Sequence, residues 1–259
     1  MSRFKLTIEY AGTRYRGWQI QTNARTVQGE LDGAIRTAAH RSEFELYGAG
    51  RTDAGVHALA QVAHLDLYTD LRPAVLRARI NEALPADIHV REIAVVPHRF
   101  HARHDAVSRS YLYQIARRRT AFFKPYVWWI KEPLDIERMR AAAAAFVGLK
   151  DFGAFTADDR DETSTLVQVD SVELAEAGAL LLVRVRGSHF LWRMVRRIVG
   201  VLAAVGRGEL TPERAAALLD DTSGLPAALT APAAGLFLEG VYYSAGTGPG
   251  PLQGVFGVE

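Results

Sequence analysis

The sequence has 259 residues, of which 49% are hydrophobic and 23% are charged, and its formal net charge is only +2. This length allows one large or two modest domains with a sizeable core. The absence of cysteine excludes disulfides, thiolate zinc sites, iron–sulfur clusters and a cysteine nucleophile, and fits a reducing compartment such as the cytoplasm. No apolar signal core follows Met1. The sequence contains no run of roughly eighteen apolar residues, so it predicts no membrane span.

The basic residues are unevenly distributed along the chain. A purely electrostatic nucleic-acid binder usually carries more net charge than this, so any RNA-binding face must concentrate its basic groups. Each cluster alone is also typical of a solvated surface. The arginine-rich stretches are 14–16, 99–109, 117–119 and 193–197.

The first half of the chain alternates strand and helix patterns. Period-two alternation predicts strands with one buried face, and an apolar stripe at helical spacing predicts helices. A threonine just before a stripe, or a proline at its start, predicts where a helix begins. In chain order the predictions are a strand over 4–10, a helix capped by Thr26, a strand over 58–67, and a helix opened by Pro73.

The second half repeats this organisation, with further helices. We therefore expect an α+β protein whose helices pack on a mixed, largely antiparallel sheet. The expected domains are 1–105, 106–244 and a flexible Gly/Pro-rich tail over 245–259. The predicted elements are a strand over 111–115, a helix from Asp135 closed by Gly148, a strand over 181–185, a helix over 194–205, a short helix at Thr211 and Pro212, and a strand over 235–243.

A glycine-rich loop carries the most informative residues. Between Gly48 and Ala58, three glycines surround the cation Arg51 and the carboxylate Asp53. Such a loop lets a planar ligand approach the main chain. The alternative is a tight turn in which Asp53 accepts backbone amides and Arg51 pairs with it. A dinucleotide-binding loop is excluded because its third glycine is missing.

The loop resembles the active-site signature of the TruA-type tRNA pseudouridine synthases. The family motif is Gly-Arg-Thr-Asp-x-Gly-Val-His, and residues 50–57 match it throughout. Further segments resemble the family in the same order along nearly the whole chain. These segments are 9–19, 26–28, 81–88, 100–103, 190–196 and 230–236.

The resemblance implies a pseudouridine synthase fold, in which two ferredoxin-like halves share a mixed sheet. It also implies an isomerase that breaks the N1–C1′ bond of a uridine, turns the base and rejoins it through C5, without cofactor or metal. The family acts on tRNA, at positions 38 to 40 of the anticodon stem-loop, and works as a homodimer. A stacked uridine must be flipped out to reach such a site.

The same resemblance assigns roles to five residues. Asp53 matches the catalytic aspartate, and Tyr111 matches the tyrosine that lies against the target uracil. Arg196 matches the basic residue that pairs with the aspartate. Arg51 is expected to contact RNA or fill the place of the flipped nucleotide, and Leu236 to line the base pocket. Without the resemblance, Tyr111 is typical of a strand in the core and Arg196 of a helix surface.

One segment departs from the family pattern. Residues 157–165 read Ala-Asp-Asp-Arg-Asp-Glu-Thr-Ser-Thr, where the family usually carries Lys or Arg ahead of the Ser/Thr pair. Acidic residues over 157–162 predict weaker phosphate contact there, or a different RNA target.

Four alternatives to tRNA isomerisation at positions 38 to 40 remain. His98, His101 and His104 share a helical spacing suited to a metal-dependent hydrolase, but Pro97 precedes them and no carboxylate set completes a site. A glycoside hydrolase needs two facing carboxylates, and the loop supplies one. A non-catalytic RNA-binding or folding module is the third, beside a pseudouridine synthase that acts on other RNA sites.

Overall fold

The computed structural model describes residues 1–157 and 164–258, which form two compact units. Unit 1 comprises Met1–Val107 with Phe237–Gly248, and unit 2 comprises Ser108–Leu236 with Pro249–Glu259. The departure predicted over 157–162 lies, apart from Ala157, outside the described residues.

The described chain contains ten strands and six α-helices. The strands are β1 (Ser2–Tyr10), β2 (Phe44–Gly48), β3 (His57–Leu67), β4 (Ile88–Val96), β5 (Ser108–Ala116), β6 (Trp128–Trp129), β7 (Gly148–Asp151), β8 (Leu166–Ala177), β9 (Leu180–Gly187) and β10 (Leu236–Tyr242). The α-helices are α1 (Val27–Ala39), α2 (Pro73–Ala83), α3 (Ile136–Ala143), α4 (Met194–Gly206), α5 (Pro212–Ala217) and α6 (Leu225–Ala228).

Unit 1 is organised around β3. Strand β1 pairs antiparallel with both β3 and β4, and β2 pairs antiparallel with the C-terminal half of β3. Strand β10 pairs parallel with the start of β3, at His57 and Ala58. Helix α1 begins as predicted, because the Thr26 side chain accepts a hydrogen bond from the Gly29 N–H at 3.3 Å. Helices α1 and α2 pack together and bury their apolar stripes.

The described strands of unit 2 lie in the order β6, β5, β9, β8, β7. Among the pairs of these described strands, β5–β6 is parallel and the other three are antiparallel. Helices α3, α4 and α5 pack against one another. Helix α4 is buried on nearly all sides rather than along one stripe. Each unit therefore combines helices with a mixed, mainly antiparallel sheet, and the predicted α+β class is confirmed.

Several boundaries differ from the sequence predictions. Strands β2, β4, β6, β7 and β8 were absent from them, and the helix expected to run to Gly148 ends at Ala143, followed by a 3-10 turn. Most of β10 groups with unit 1 because it pairs with β3, whereas the prediction placed it in the half over 106–244.

The C-terminal residues pack on unit 2, although a flexible tail was expected over 245–259. The Val255 N–H donates to the Gln114 side chain at 2.7 Å, and the Phe256 ring stacks on Phe123 with centroids 5.3 Å apart. Val258 is only 3% exposed. Apolar residues near the end of the tail therefore anchor it. None of the helices in the described ranges is long and apolar enough to cross a membrane.

Candidate active site

Asp53 lies in the loop of residues 49–56, which connects β2 to β3 in unit 1. The Asp53 carbonyl accepts a hydrogen bond from the Val56 N–H at 3.1 Å, so the loop contains a tight turn at this residue. Gly55 completes this turn at φ +79°. Asp53 is half-buried.

The segment after β1 holds this loop through its backbone. The Trp18 N–H donates to the Thr52 carbonyl at 3.0 Å, and the Gly55 N–H donates to the Tyr15 carbonyl at 3.2 Å. Below them, the Tyr10 hydroxyl and the Thr52 Oγ1 form a buried hydrogen bond of 2.8 Å. The opening motif of the sequence therefore positions the loop that contains Asp53.

Two glycines make this close approach possible. A Cβ added to Gly12 would lie 1.9 Å from the Val56 carbonyl oxygen, and one added to Gly17 would lie 2.6 Å from the Thr52 carbonyl oxygen. Gly17 also has φ +95°, a conformation that other residues adopt only with strain. Larger residues at either position would displace the loop.

His57 closes the other end of the loop. Its Nδ1 accepts a hydrogen bond from the Gly12 N–H at 3.0 Å, and its ring stacks on Phe237 of β10 with centroids 4.7 Å apart. The ring is 1% exposed. His57 is therefore a structural residue of the motif, which ties the loop, the opening segment and β10 together.

Arg51 points away from this buried support. Its exposed side chain lines a cleft of about 460 Å³ within unit 1, and Asp53 is not among the lining residues. Most residues of this cleft carry no distinctive signal in the sequence. Tyr47 lies in the unpredicted strand β2, and Arg103 belongs to the arginine-rich stretch 99–109 and to the matching segment 100–103.

His101, one of the histidines considered for a metal site, accepts hydrogen bonds from the backbone. The His101 Nδ1 accepts hydrogen bonds from the N–H groups of Arg103 and His104, at 3.2 and 3.3 Å. The His64 Nδ1 accepts one from the Ala102 N–H at 3.2 Å. These nitrogens are therefore engaged with the backbone, and no group of three or more potential ligands suited to a metal occurs in the described part of the chain. The geometry does not support the hydrolase hypothesis.

Burial and nearby charges explain the protonation state of this cluster. Burial, the Arg3 guanidinium and His101 lower the pKa of His64 from its ordinary 6.5 to about 4. Burial, followed by His104, also lowers the pKa of His101. Both rings are therefore neutral near pH 7, as acceptors of backbone N–H groups must be.

The other three predicted site residues lie in unit 2. Tyr111 is a half-buried residue of β5, and its ring meets the Phe190 ring edge-to-face with centroids 5.2 Å apart. Phe190 belongs to the segment that leads into α4. The structure thus brings Tyr111 next to the 190–196 motif.

Arg196 connects α4 to the last motif. Its Nε donates to the Ala231 carbonyl at 2.7 Å, and the Ala231 N–H donates back to the Arg196 carbonyl at 3.0 Å. Leu236, at the end of the same motif, is 5% exposed at the start of β10. The bond from Nε orients the Arg196 guanidinium, and the main-chain bond ties Ala231 to α4.

Tyr113 packs against the last motif, residues 230–236. Its hydroxyl donates to the Pro232 carbonyl at 2.7 Å, and deep burial raises the pKa of this hydroxyl well above its usual value. A Cβ added to Gly235 would lie 2.6 Å from the Tyr113 ring. Within unit 2, therefore, β5 and the motifs 190–196 and 230–236 form one packed group.

Comparison with known proteins gives a consistent result. The sequence profile of a family described as tRNA pseudouridine synthase matches residues 6–105 and 142–244. A Citrifermentans bemidjiense protein named tRNA pseudouridine synthase A is 43% identical over 250 residues, which cover 94% of this chain and 98% of its own length. A Bacillus protein of the same name is 38% identical over 94% of this chain and its full length. Among solved structures, a Cbf5-Nop10-Gar1 complex aligns with a TM-score of 0.33 and 12% identity over 77% of this chain and 54% of its own, too weakly to support an argument.

Proposed function

The chain belongs to the tRNA pseudouridine synthase family, and from this premise we propose that it isomerises uridine to pseudouridine in tRNA. We assign its targets to positions 38 to 40 of the anticodon stem-loop. The reaction exchanges an N1–C1′ bond for a C5–C1′ bond within one nucleoside, and therefore requires no redox cofactor or energy source.

The observation that carries this proposal is the construction of the loop over 49–56. The loop has the family sequence, and backbone contacts from the opening segment hold it on both sides of Asp53. A carboxylate held in place before the substrate arrives loses little entropy in the transition state. This support is therefore what a catalytic group at residue 53 requires.

We assign the chemistry to the Asp53 carboxylate. It can act as a nucleophile or stabilise the positive charge that develops at C1′ as the N1–C1′ bond breaks. The target uridine must leave the stack to reach it, at a cost of about a few kcal/mol. Phosphate contacts from the arginine-rich stretches offset this cost and set the register on the RNA.

Four further residues are assigned to substrate binding. The Tyr111 ring supplies a stacking face for uracil, and its hydroxyl is suited to moving the proton from C5. Leu236 supplies an apolar wall. Arg196, oriented by its bond to Ala231, and Arg51 supply positive charge for the RNA and for the anionic groups of the site.

The partners follow from the same proposal. The enzyme binds the anticodon arm of tRNA, acts in the cytoplasm and functions as a homodimer. Sedimentation of the protein with and without tRNA measures this oligomeric state directly.

The proposal is tested by mapping pseudouridine on unmodified tRNA transcripts after incubation with the wild type, Asp53→Asn and Asp70→Asn. The first substitution keeps the shape of the side chain and removes its charge, so it is expected to abolish turnover while tRNA affinity stays within a few fold. Asp70 is an exposed carboxylate beyond the end of β3, and Asp70→Asn is the matched control. It is expected to retain full activity.

Pseudouridine at positions 38 to 40 with the wild type and the control, but not with Asp53→Asn, supports both the reaction and the catalytic residue. Turnover by Asp53→Asn at the wild-type rate would contradict the assignment of Asp53. Product at other positions would redirect the substrate assignment. RNA binding without product on any tRNA would favour the non-catalytic module.

A further inference from the structure

The cleft beside Arg51 has the dimensions and chemistry of a second ligand site. We call it the Tyr47 cleft, after the aromatic residue of β2 in its wall. Its volume of about 460 Å³ lies in the range of about 300–1,000 Å³ that is typical of small-ligand sites. Its lining includes Glu45, Arg51, His101, Arg103 and His104.

A row of aromatic rings forms part of this site. The ring centroids of His104 and His101 are 4.2 Å apart, and those of His101 and His64 are 4.7 Å apart. The Tyr47 ring then stacks on His64 at 5.3 Å with an interplanar angle of 19°. Because Tyr47 is 52% exposed, the row ends in an accessible aromatic surface. Nucleic-acid bases stack on such surfaces without regard to sequence.

The charges in the cleft favour an anion. The two guanidinium groups, on Arg51 and Arg103, outnumber the single carboxylate of Glu45. His101 adds no charge near pH 7, since burial and His104 lower its pKa. Guanidinium groups match the geometry of phosphate oxygens, so an aromatic surface beside two arginines suits one nucleotide.

The loop that carries Arg103 and His104 is fixed before any ligand arrives. The Arg3 Nη1 donates to the Phe100 carbonyl at 2.8 Å, and the Tyr243 hydroxyl donates to the Ala102 carbonyl at 2.7 Å. With the bond from the Ala102 N–H to His64, these contacts hold the residues that lead into Arg103 and His104. A site organised in advance binds more tightly, because less freedom is lost on binding.

We propose that the Tyr47 cleft binds an unpaired nucleotide next to the target uridine, with its base on the Tyr47 ring and its phosphate between Arg51 and Arg103. The inference rests on the proposed function, because the ligand is a part of the same RNA. Arg51 and Asp53 are two residues apart, so their Cα atoms lie within about 7 Å of each other. An RNA strand that reaches Asp53 therefore passes the mouth of the cleft.

The test measures tRNA binding in the Asp53→Asn background over a series of salt concentrations. Arg103→Ala is expected to lower the slope of log K against log salt by about 0.7–0.9, the loss of one phosphate contact. Tyr47→Ala is expected to weaken binding about 5- to 150-fold at every salt concentration, the loss of one stacked base, without changing the slope. Tyr47→Phe, which keeps the ring, should bind like the parent.

Matched controls separate these effects from general ones. Arg79→Ala and Tyr68→Ala remove an exposed arginine and an exposed tyrosine of unit 1 outside the cleft lining, and should leave both slope and affinity unchanged. Tyr47→Leu keeps an apolar contact for His64 but lacks a ring. It should therefore bind like Tyr47→Ala even if the alanine variant is unstable.

The inference is overturned if the cleft variants bind tRNA with the parental affinity and salt slope. It is also overturned if Tyr47→Ala changes the sedimentation coefficient of the protein but not its RNA affinity, because the cleft would then be a protein contact. Either result can occur while the wild type still forms pseudouridine. Failure of the cleft is therefore distinguishable from failure of the proposed reaction.

Discussion

Replacing Gly17 by alanine tests whether the opening segment positions the Asp53 loop. Gly17 has φ +95°, and an added Cβ would lie 2.6 Å from the Thr52 carbonyl oxygen and 3.2 Å from the Asp53 carbonyl carbon. Both neighbours are backbone atoms, so they cannot move aside as a flexible side chain would. The added methyl group must shift either the segment or the loop.

The size of the effect follows from these two features. A non-glycine residue in a strained region with positive φ costs about 1–3 kcal/mol, and an added methyl group in a packed position costs about 1–3 kcal/mol. We expect Gly17→Ala to lower the free energy of unfolding by about 2–6 kcal/mol. A misplacement of about 1 Å at the reacting groups costs about 100-fold in rate, so we expect kcat to fall by about 10- to 100-fold.

The assay combines urea denaturation with steady-state formation of pseudouridine on tRNA. Gly33→Ala is the matched control, because Gly33 lies exposed in α1 with nothing within 4 Å of its added Cβ. That control should raise the free energy of unfolding by about 0.4–1 kcal/mol and leave kcat unchanged. Wild-type stability and kcat in Gly17→Ala would refute the reasoning that the opening segment fixes the loop.

Two further substitutions test the interior of unit 1. Tyr10→Phe leaves the buried Thr52 hydroxyl without its 2.8 Å partner, so the free energy of unfolding in urea should fall by about 1–3 kcal/mol. Tyr68→Phe, at an exposed position, should have no effect. Equal free energies of unfolding for the wild type and Tyr10→Phe would contradict the prediction. The pKa of His64 is lowered from 6.5 to about 4 in the folded protein, so between these pH values the unfolded state binds more protons than the folded state. The free energy of unfolding should therefore fall by about 3 kcal/mol as the pH drops from 6.5 towards 4. His64→Asn keeps an acceptor for the Ala102 N–H but cannot titrate, and should flatten this part of the stability–pH curve; an unchanged slope would exclude His64 as its source.

The sequence predicted those elements whose patterns are regular. Residues 4–10 alternate without interruption, and Thr26 is followed by a clear helical stripe, so β1 and α1 were predicted within two residues of their ends. Strand β2 is only five residues long and exposes Glu45 and Tyr47. A strand this short on an edge gives too few alternations to be recognised from its pattern.

Irregular pairing hid two longer strands. The register of β4 against β1 shifts between Thr7 and Ile8, and β4 exposes two successive residues, Arg91 and Glu92. The pairing of β8 with β9 shifts between Val169 and Ser171. A bulge inserts an extra residue and breaks the period of two, so alternation alone cannot reveal such strands.

The Asp53 loop could be predicted from the sequence and the Tyr47 cleft could not, for a related reason. The Asp53 loop is contiguous, so one stretch of sequence contains its whole signature. The Tyr47 cleft combines residues from the opening segment, β2, the loop and residues 101–104, and no local pattern connects them. The roles assigned to Tyr111, Arg196 and Leu236 remain predictions, because they depend on the family resemblance.

Some residues of the matching motifs are required for packing rather than for the reaction. This distinction decides which substitutions are informative about the reaction. In the last motif, Gly235 is required by the nearby Tyr113 ring and Ala231 exchanges backbone bonds with Arg196. A change at either residue disturbs the fold before it reports on the reaction. The backbone hydrogen bonds between the opening segment and the Asp53 loop use main-chain atoms of Thr52 and Gly55, which Asp53→Asn leaves in place. Asp53→Asn therefore tests the carboxylate, and Gly17→Ala tests its placement. An enzyme that needs both should have a lower kcat in either variant, but a lower free energy of unfolding only in Gly17→Ala.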